Sequence, residues 1–165
     1  MRNDLHLLRR ETVGDDPEAA YLRLEELVDS EPTADEQALL RELAADLQRA
    51  NPSADIAENS ERFGLQLGYE AERPVVIDID SVDAITMMWS YGAEDAGPAL
   101  DEVRLYFPVF ERYGYVAFDP QLDRLFDPNR DIAAAAEVHA DVRESVLGDL
   151  LKRERPSFLK RLFGR

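Results

Sequence analysis

The sequence predicts an α+β fold in which helices pack against one mainly antiparallel sheet of about four to five strands. Two observations support this prediction. The spacing of apolar residues changes along the chain between the 3.6-residue period of helices and the two-residue period of strands. Three consecutive strand-like stretches in the middle of the chain have only short connections, which is typical of an antiparallel meander. The predicted order of elements is β-α-α-β-β-β-α-β-α.

The chain begins with a predicted strand and a predicted helix. Residues 3–8, NDLHLL, place three leucines among polar residues and predict the strand. Residues 14–30 predict the helix, because their apolar residues recur at helical spacing. Asp15 or Asp16 is the expected N-cap, and Pro17 suits the first helical position.

A second helix is predicted over residues 32–52. Thr33 and Glu36 have the spacing of a capping box, and Asn51 followed by Pro52 is a stop signal. The leucines between these ends recur every three or four residues, so one face of the helix should be buried. We expect the two helices to form an antiparallel hairpin.

The middle of the chain then adopts the two-residue period of strands. Residues 62–69, 74–80 and 84–91 each carry large apolar side chains at every second position. Because the connections between them are short, we expect three antiparallel neighbours in the sheet.

A helix, a strand and a final helix complete the predicted fold. Residues 97–114 carry an apolar stripe at helical spacing, with Pro108 expected to kink or split the helix and Gly114 expected to end it. Residues 115–119, YVAFD, predict a strand. Residues 131–153 have the strongest helical pattern in the chain.

The tripeptide Phe-Asp-Pro occurs twice, at residues 118–120 and 126–128. Proline after aspartate favours a turn, and the first copy directly follows a predicted strand. The second copy precedes the last predicted helix, where aspartate can cap and proline can open the helix. We therefore interpret the first copy as a turn and the second as the start of a helix, with Phe118 and Phe126 as core residues.

Charge is distributed unevenly over the 165 residues, whose net charge is −16. Residues 152–165 hold six bases and one acid and form a basic amphipathic C-terminal tail. Residues 1–151 hold 13 bases and 34 acids, a net charge of −21, and are predicted to be a single α+β domain. Such a body should repel nucleic acid and anionic membranes and attract a basic protein.

The composition also limits where in the cell the protein can be and which kinds of catalytic or metal site it can have. The chain has no cysteine, which excludes disulfides, thiol catalysis and cysteine-ligated metals. It has no run of 18 apolar residues, and its N-terminus lacks the long apolar stretch of a secretory signal. We therefore expect a cytoplasmic protein.

Two stretches resemble a family of small bacterial proteins of largely unassigned function. GYVAFDPQ, residues 114–121, resembles the family's GYxxYDPQ element, with Phe118 in place of the usual tyrosine. DLHLLR, residues 4–9, followed by DDPEAA, residues 15–20, resembles its DLHLFR-type start. Proteins of this appearance are similar to the immunity or inhibitor components of bacterial toxin systems. The resemblance implies a toxin partner and defines no catalytic residues.

One string suggests metal chemistry. VVIDIDSVD, residues 75–83, resembles the first motif of haloacid-dehalogenase-type phosphatases, in which paired aspartates bind magnesium. Asp78, Asp80 and Asp83 would be the metal ligands. The catalytic site of that phosphatase family also needs a lysine, and the chain has no lysine outside its tail. Asp78 and Asp80 also alternate with apolar residues, as on the solvated face of a strand. We therefore assign no metal site, no catalytic residue and no cofactor.

The sequence instead suggests a surface for binding protein. Carboxylates would steer a basic partner and pair with its arginines and lysines, and nearby aromatic rings would anchor it. The predicted partner-binding residues are Asp78, Asp80, Asp83, Trp89, Tyr91, Glu94, Asp95 and Tyr115.

The resulting functional hypothesis is a non-enzymatic, acidic protein-binding module, an immunity or inhibitor protein that neutralises a basic toxin. Two alternatives remain. The first is a metal-assisted phosphatase or hydrolase that uses Asp78 and Asp80. The second is a homodimeric structural protein whose acidic surface is an adaptation to salt.

Overall fold

The computed structural model describes residues 2–27, 31–59, 61–68, 74–90 and 97–131. Within these ranges the chain forms seven strands and four helices. The helices are α1 (Arg10–Val13), α2 (Pro17–Glu25), α3 (Ala34–Ala50) and α4 (Gly97–Arg112). The strands are β1 (Arg2–Arg9), β2 (Ile56–Glu58), β3 (Leu65–Leu67), β4 (Val75–Ile79), β5 (Ile85–Ser90), β6 (Tyr115–Asp119) and β7 (Arg124–Leu125).

The chain divides into two compact units, residues 1–129 and 130–165, and every element named above belongs to the first. The predicted last helix lies outside the described residues beyond its first residue, Asp131. The predicted boundary between 151 and 152 and the basic tail also lie outside them.

All strands belong to one antiparallel sheet in the order β2-β3-β4-β5-β1-β6-β7. The predicted α+β class and the predicted meander of β3, β4 and β5 are therefore confirmed. The N-terminal strand β1 lies between β5 and β6, so residues distant in sequence meet at the centre of the sheet.

The predicted number and order of elements differ from the structure in detail. Seven strands replace the four to five that were predicted, and α1 adds a short helix after β1. The additional strands β2 and β7 have three and two residues, and α1 has four. Segments this short do not complete enough periods to produce a recognisable pattern of apolar residues.

One face of the sheet is apolar and covered by two helices. Leu5 and Leu7 of β1 lie opposite Met87 and Ile85 of β5, and none of the four is more than 1% exposed. α4 packs against β4 and β6, and α3 packs against β3 and α4. Burial of this continuous apolar face is the main source of stability for the fold.

The opposite face is covered at β1 and β6 by α2. Leu8, Val116 and Phe118 form a buried cluster there with Val13 and Ala20. β6 is consequently buried along its whole length. The predicted hairpin of two helices is wrong, because α2 packs against β6 and β7 whereas α3 packs against α4 and β3.

The predicted start of α2 and both predicted ends of α3 are confirmed, whereas α2 ends at Glu25, short of the predicted residue 30. Asp16 is the N-cap of α2 and accepts a hydrogen bond of 3.0 Å from the Glu18 amide. Thr33 and Glu36 form the reciprocal capping box of α3, and Asn51 is its C-cap. These residues satisfy backbone groups that a helix end otherwise leaves without partners.

Gly114 ends the last described helix, but Pro108 does not split it. Gly114 has a φ of 79° and donates to the Glu111 carbonyl at 3.0 Å, in keeping with a glycine terminator. α4 nevertheless continues through Pro108 to Arg112. Pro108 and Arg104, one turn earlier, are both exposed, so water can solvate the Arg104 carbonyl that Pro108 leaves without a donor.

Both Phe-Asp-Pro copies form turns. The Asp119 carboxylate accepts hydrogen bonds from the amides of Gln121 and Leu122 at 2.8 and 3.2 Å, which shapes the turn between β6 and β7. The Asp127 carboxylate accepts one from the Asn129 amide at 2.8 Å. The phenylalanines of both copies are buried in the core, as expected. The aspartates therefore act locally as turn-forming residues.

Candidate functional site

Two of the predicted carboxylates line an open cleft at the β2 end of the sheet. Asp78 lies in β4 and Asp80 directly after it, so their side chains leave the same side of the strand. The cleft has a volume of about 500 Å³. We call it the sheet-edge cleft; its polar lining residues are Glu58, Asn59, Arg62, Gln66, Asp78 and Asp80.

Each carboxylate of the sheet-edge cleft has a partner within the chain. Gln66 donates a hydrogen bond from Nε2 to Asp78 Oδ1. Arg62 Nη2 lies 3.8 Å from Asp80 Oδ1. Arg41 Nη2 lies 2.7 Å from Glu58 Oε1. A cation from another protein would have to compete with these neighbours, which weakens the case for the cleft as a docking surface.

Asp83 does not line the sheet-edge cleft; it pairs with Arg23 of α2. Its Oδ2 accepts a hydrogen bond of 2.8 Å from Arg23 Nη2 of α2, and its side chain is 35% exposed. The bridge joins the β4–β5 turn to α2. The structure thus places Asp83 in a contact between elements rather than beside Asp78 and Asp80.

Trp89 belongs to the core. It is 2% exposed, and its ring centroid lies 6.5 Å from that of Phe126. Phe126 in turn meets Phe107 of α4 at 5.6 Å. With the ring enclosed in this way, Trp89 offers no surface to a partner, and it is removed from the predicted anchors.

Tyr115 is also a core residue, at 1% exposed. Its hydroxyl donates to the Val82 carbonyl at 3.0 Å, and its ring meets Phe110 edge to face at 6.1 Å between centroids. Burial raises the pKa of Tyr115 to about 12, because the phenolate would lose its solvation there. Its hydroxyl serves the fold and does not reach the surface as a partner anchor would.

The other predicted residues, Tyr91, Glu94 and Asp95, lie outside the described residues.

The described residues do not assemble a metal centre. In these parts of the chain, no group of three or more His, Asp or Glu side chains is placed to hold a metal ion. Asp83, the third predicted ligand, pairs with Arg23. His6 is half-buried in β1, and burial lowers its pKa despite the opposing charges of Asp4 and Asp119.

A second concave surface lies where the start of α2 meets the β6–β7 turn. It is an open groove of about 810 Å³. We call it the α2 groove; its lining residues are Asp16, Pro17, Glu18, Tyr21, Pro120 and Asp123. The first Phe-Asp-Pro copy thus supplies a turn through Asp119 and a wall of this groove through Pro120.

The α2 groove is acidic and lacks a basic lining residue. Among the described residues, neither Glu18 nor Asp123 has a lysine or arginine within ion-pair distance. Asp16 uses one carboxylate oxygen to cap α2. The groove therefore presents a negative potential that the described residues do not neutralise.

Tyr21 is the exposed aromatic residue of this groove, with 47% of its surface accessible. Its hydroxyl is hydrogen-bonded to Glu25, one helical turn later, and that bond together with the charge of Glu25 raises the pKa of Tyr21. Glu18, Tyr21 and Glu25 are spaced three and four residues apart, so they share one side of α2.

The α2 groove was missed by sequence reasoning, although one of its residues carried a signal. The buried stripe of α2 passes through Ala20, and Tyr21 falls beside that stripe. An aromatic residue off the apolar stripe of an amphipathic helix is a candidate surface anchor. The approach of Pro120 and Asp123 to α2 had no such signal, since it depends on the packing of α2 against β6 and β7.

Comparison with protein-family models, with curated proteins and with solved structures found no match for the chain. In the described residues, no helix combines the length and the hydrophobicity of a membrane-spanning segment.

Proposed function

We propose that the chain is a non-enzymatic protein-binding module for a basic partner, and that it binds this partner through the α2 groove. The observation that carries the proposal is the exposed Tyr21 ring among carboxylates that no basic lining residue compensates. Rigid aromatic side chains are frequent anchors of protein interfaces, and complementary charge around them selects the partner.

The net charge of the chain supports the same proposal, because it attracts a basic partner from a distance. Residues 1–151 hold 34 acids and 13 bases, so a basic protein is attracted before contact. The α2 groove supplies the contact itself. An immunity or inhibitor protein that neutralises a basic toxin needs these two properties, rapid attraction and a specific anchor.

The test compares two double variants that change the net charge equally. Glu18→Gln with Asp123→Asn removes two of the three carboxylates that line the α2 groove, and asparagine tolerates the positive φ of Asp123. Asp78→Asn with Asp80→Asn is the matched control in the sheet-edge cleft. Each immobilised protein is used to select partners from a display library of genomic fragments of its own organism, which does not require that the partner be expressed.

We expect a basic partner that binds the wild type and the cleft variant and binds the groove variant about fivefold or more weakly, since two exposed ion pairs are lost. Its affinity should fall as salt rises from tens to hundreds of millimolar, because ions screen the attraction. Equal binding by both variants would exclude the α2 groove. An affinity indifferent to salt would exclude carboxylate steering.

A further inference from the structure

The chain contains a recurring arrangement in which an arginine lies over an aromatic ring and pairs with a nearby carboxylate. In its fullest form, the Arg112 guanidinium lies over the Tyr113 ring at 5.9 Å from the centroid. Arg112 Nη2 is 2.7 Å from Asp46 Oδ2, and the Tyr113 hydroxyl donates to the same oxygen at 3.0 Å. One carboxylate thus accepts from both the phenol and the guanidinium, and it also pairs with Arg49.

The arrangement occurs twice more among the described residues. Arg41 lies 5.3 Å from the centroid of Phe63 and pairs with Glu58 at 2.7 Å. The other instance consists of Arg9, Tyr115 and Glu11, with 5.1 Å from guanidinium to ring and 4.0 Å between the charged atoms. An arginine between a ring face and a carboxylate is therefore a recurring local arrangement in the described residues.

The α2 groove presents an aromatic ring, Tyr21, and carboxylates on the same helix, but no arginine among the described residues lines it. Hydrogen bonding to Glu25, one helical turn later, raises the pKa of Tyr21, and the Tyr113 hydroxyl donates to Asp46 at 3.0 Å. Within the described residues, no arginine guanidinium lies over the Tyr21 ring. Arg23, the nearest arginine in the sequence of α2, pairs with Asp83.

We infer that the α2 groove is an arginine-binding site, in which a guanidinium of the partner lies over Tyr21 and pairs with Glu18 or Glu25. Tyr21 is 47% exposed, so its ring face is accessible to another molecule. Glu18 and Glu25 flank the ring along the helix, and Asp123 borders the groove on the β6–β7 turn. The inference rests on the proposed function and names the chemical group that the groove selects.

Arginine fits this surface better than lysine does. A guanidinium is planar and weakly hydrated, so it can stack on the ring and pair with carboxylates through its in-plane N–H groups. An ammonium is more strongly hydrated and has no flat face to stack. Pro17 and Pro120 offer apolar contact for the methylene groups of the arginine stem.

The test uses two labelled peptides of equal charge, nona-arginine and nona-lysine, titrated with the full chain at 50 and at 150 mM salt. For the wild type, we expect nona-arginine to bind about two- to fivefold more tightly, the preference that one exposed stacked guanidinium provides. Tyr21→Ala should bind both peptides equally. Tyr21→Phe should keep most of the preference, because it keeps the ring and removes only the hydroxyl.

The controls separate the inference from the proposed function. Asp78→Asn with Asp80→Asn should retain the preference for arginine, and thermal melts should show that the exposed Tyr21 substitutions leave the fold intact. Equal binding of the two peptides by the wild type, or a preference that survives in Tyr21→Ala, would overturn the arginine site alone. If neither peptide binds at 50 mM salt, both the arginine site and the proposed function are wrong.

Discussion

The Tyr115 hydroxyl is placed where ionisation is costly. Its ring lies in the core, and its proton is donated to the Val82 carbonyl. Burial raises its pKa from the usual value of 10.0 to about 12. The folded state therefore holds this proton at pH values at which the unfolded chain releases it, so Tyr115 links stability to pH in the alkaline range.

The stabilising contribution of the Tyr115 proton is complete below pH 10 and is lost as the pH rises toward 12 and above. A shift of this size corresponds to about 2–3 kcal/mol of the free energy of unfolding. We expect Tyr115→Phe to be less stable than the wild type at pH 7, through loss of the bond to Val82, and to lose less stability between pH 9 and 12. Urea denaturation at pH 7 and between pH 9 and 12 measures the stability of each protein and its dependence on pH. Parallel pH profiles for the two proteins would contradict the assignment to Tyr115.

At the scale of single elements, the helix ends carry their own stabilising contacts. In the α3 capping box, Glu36 Oε2 accepts from the Thr33 amide at 2.8 Å and from the Thr33 hydroxyl at 2.7 Å. The Thr33 hydroxyl in turn accepts from the Glu36 amide at 3.4 Å. These hydrogen bonds also lower the pKa of Glu36. They involve residues three positions apart and need no tertiary neighbour.

Replacement of Thr33 should therefore weaken the start of α3. We expect Thr33→Ala to lower the free energy of unfolding by about 1 kcal/mol, because the exposed amide loses its acceptor. Thr33→Ser keeps the hydroxyl and should be close to the wild type. Chemical denaturation of the three proteins at neutral pH measures these free energies of unfolding. A serine variant as unstable as the alanine variant would show that the methyl group, not the hydroxyl, is responsible.

For the whole molecule, the excess of acids affects stability as well as binding. A net charge of −16 makes the folded chain repel itself, and dissolved ions reduce that repulsion. The described surface also contains attractive pairs, among them Arg41 with Glu58 and Arg112 with Asp46, which salt weakens. The repulsion should dominate, because the acids outnumber the bases by 35 to 19.

We therefore expect sodium chloride between 50 and 500 mM to raise the melting temperature while it weakens partner binding. Thermal unfolding at constant pH measures the first effect, and an uncharged osmolyte at matched osmolality controls for effects other than screening. A melting temperature that falls with salt would show that the attractive pairs outweigh the repulsion in the folded state.

The sequence by itself determined the features that depend on a few neighbouring residues. The Asp16 cap, the capping box at Thr33, the Asn51 stop, the Gly114 terminator and the turn at Asp119-Pro120 were all predicted, because their hydrogen bonds close within a few residues. The α+β class was predicted as well, since it follows from the periods of the apolar residues.

Only the tertiary structure decided which surfaces face solvent and which residues meet. Trp89 and Tyr115 were predicted as partner anchors from their polar tips, yet packing against Phe126 and Phe110 encloses them. Tyr21 is exposed instead. The short strands β2 and β7, the separate packing of α2 and α3, and the α2 groove all result from contacts between distant parts of the chain. Such contacts are set by how apolar faces are buried together, and the local pattern of residues records only that a face is apolar, not what covers it.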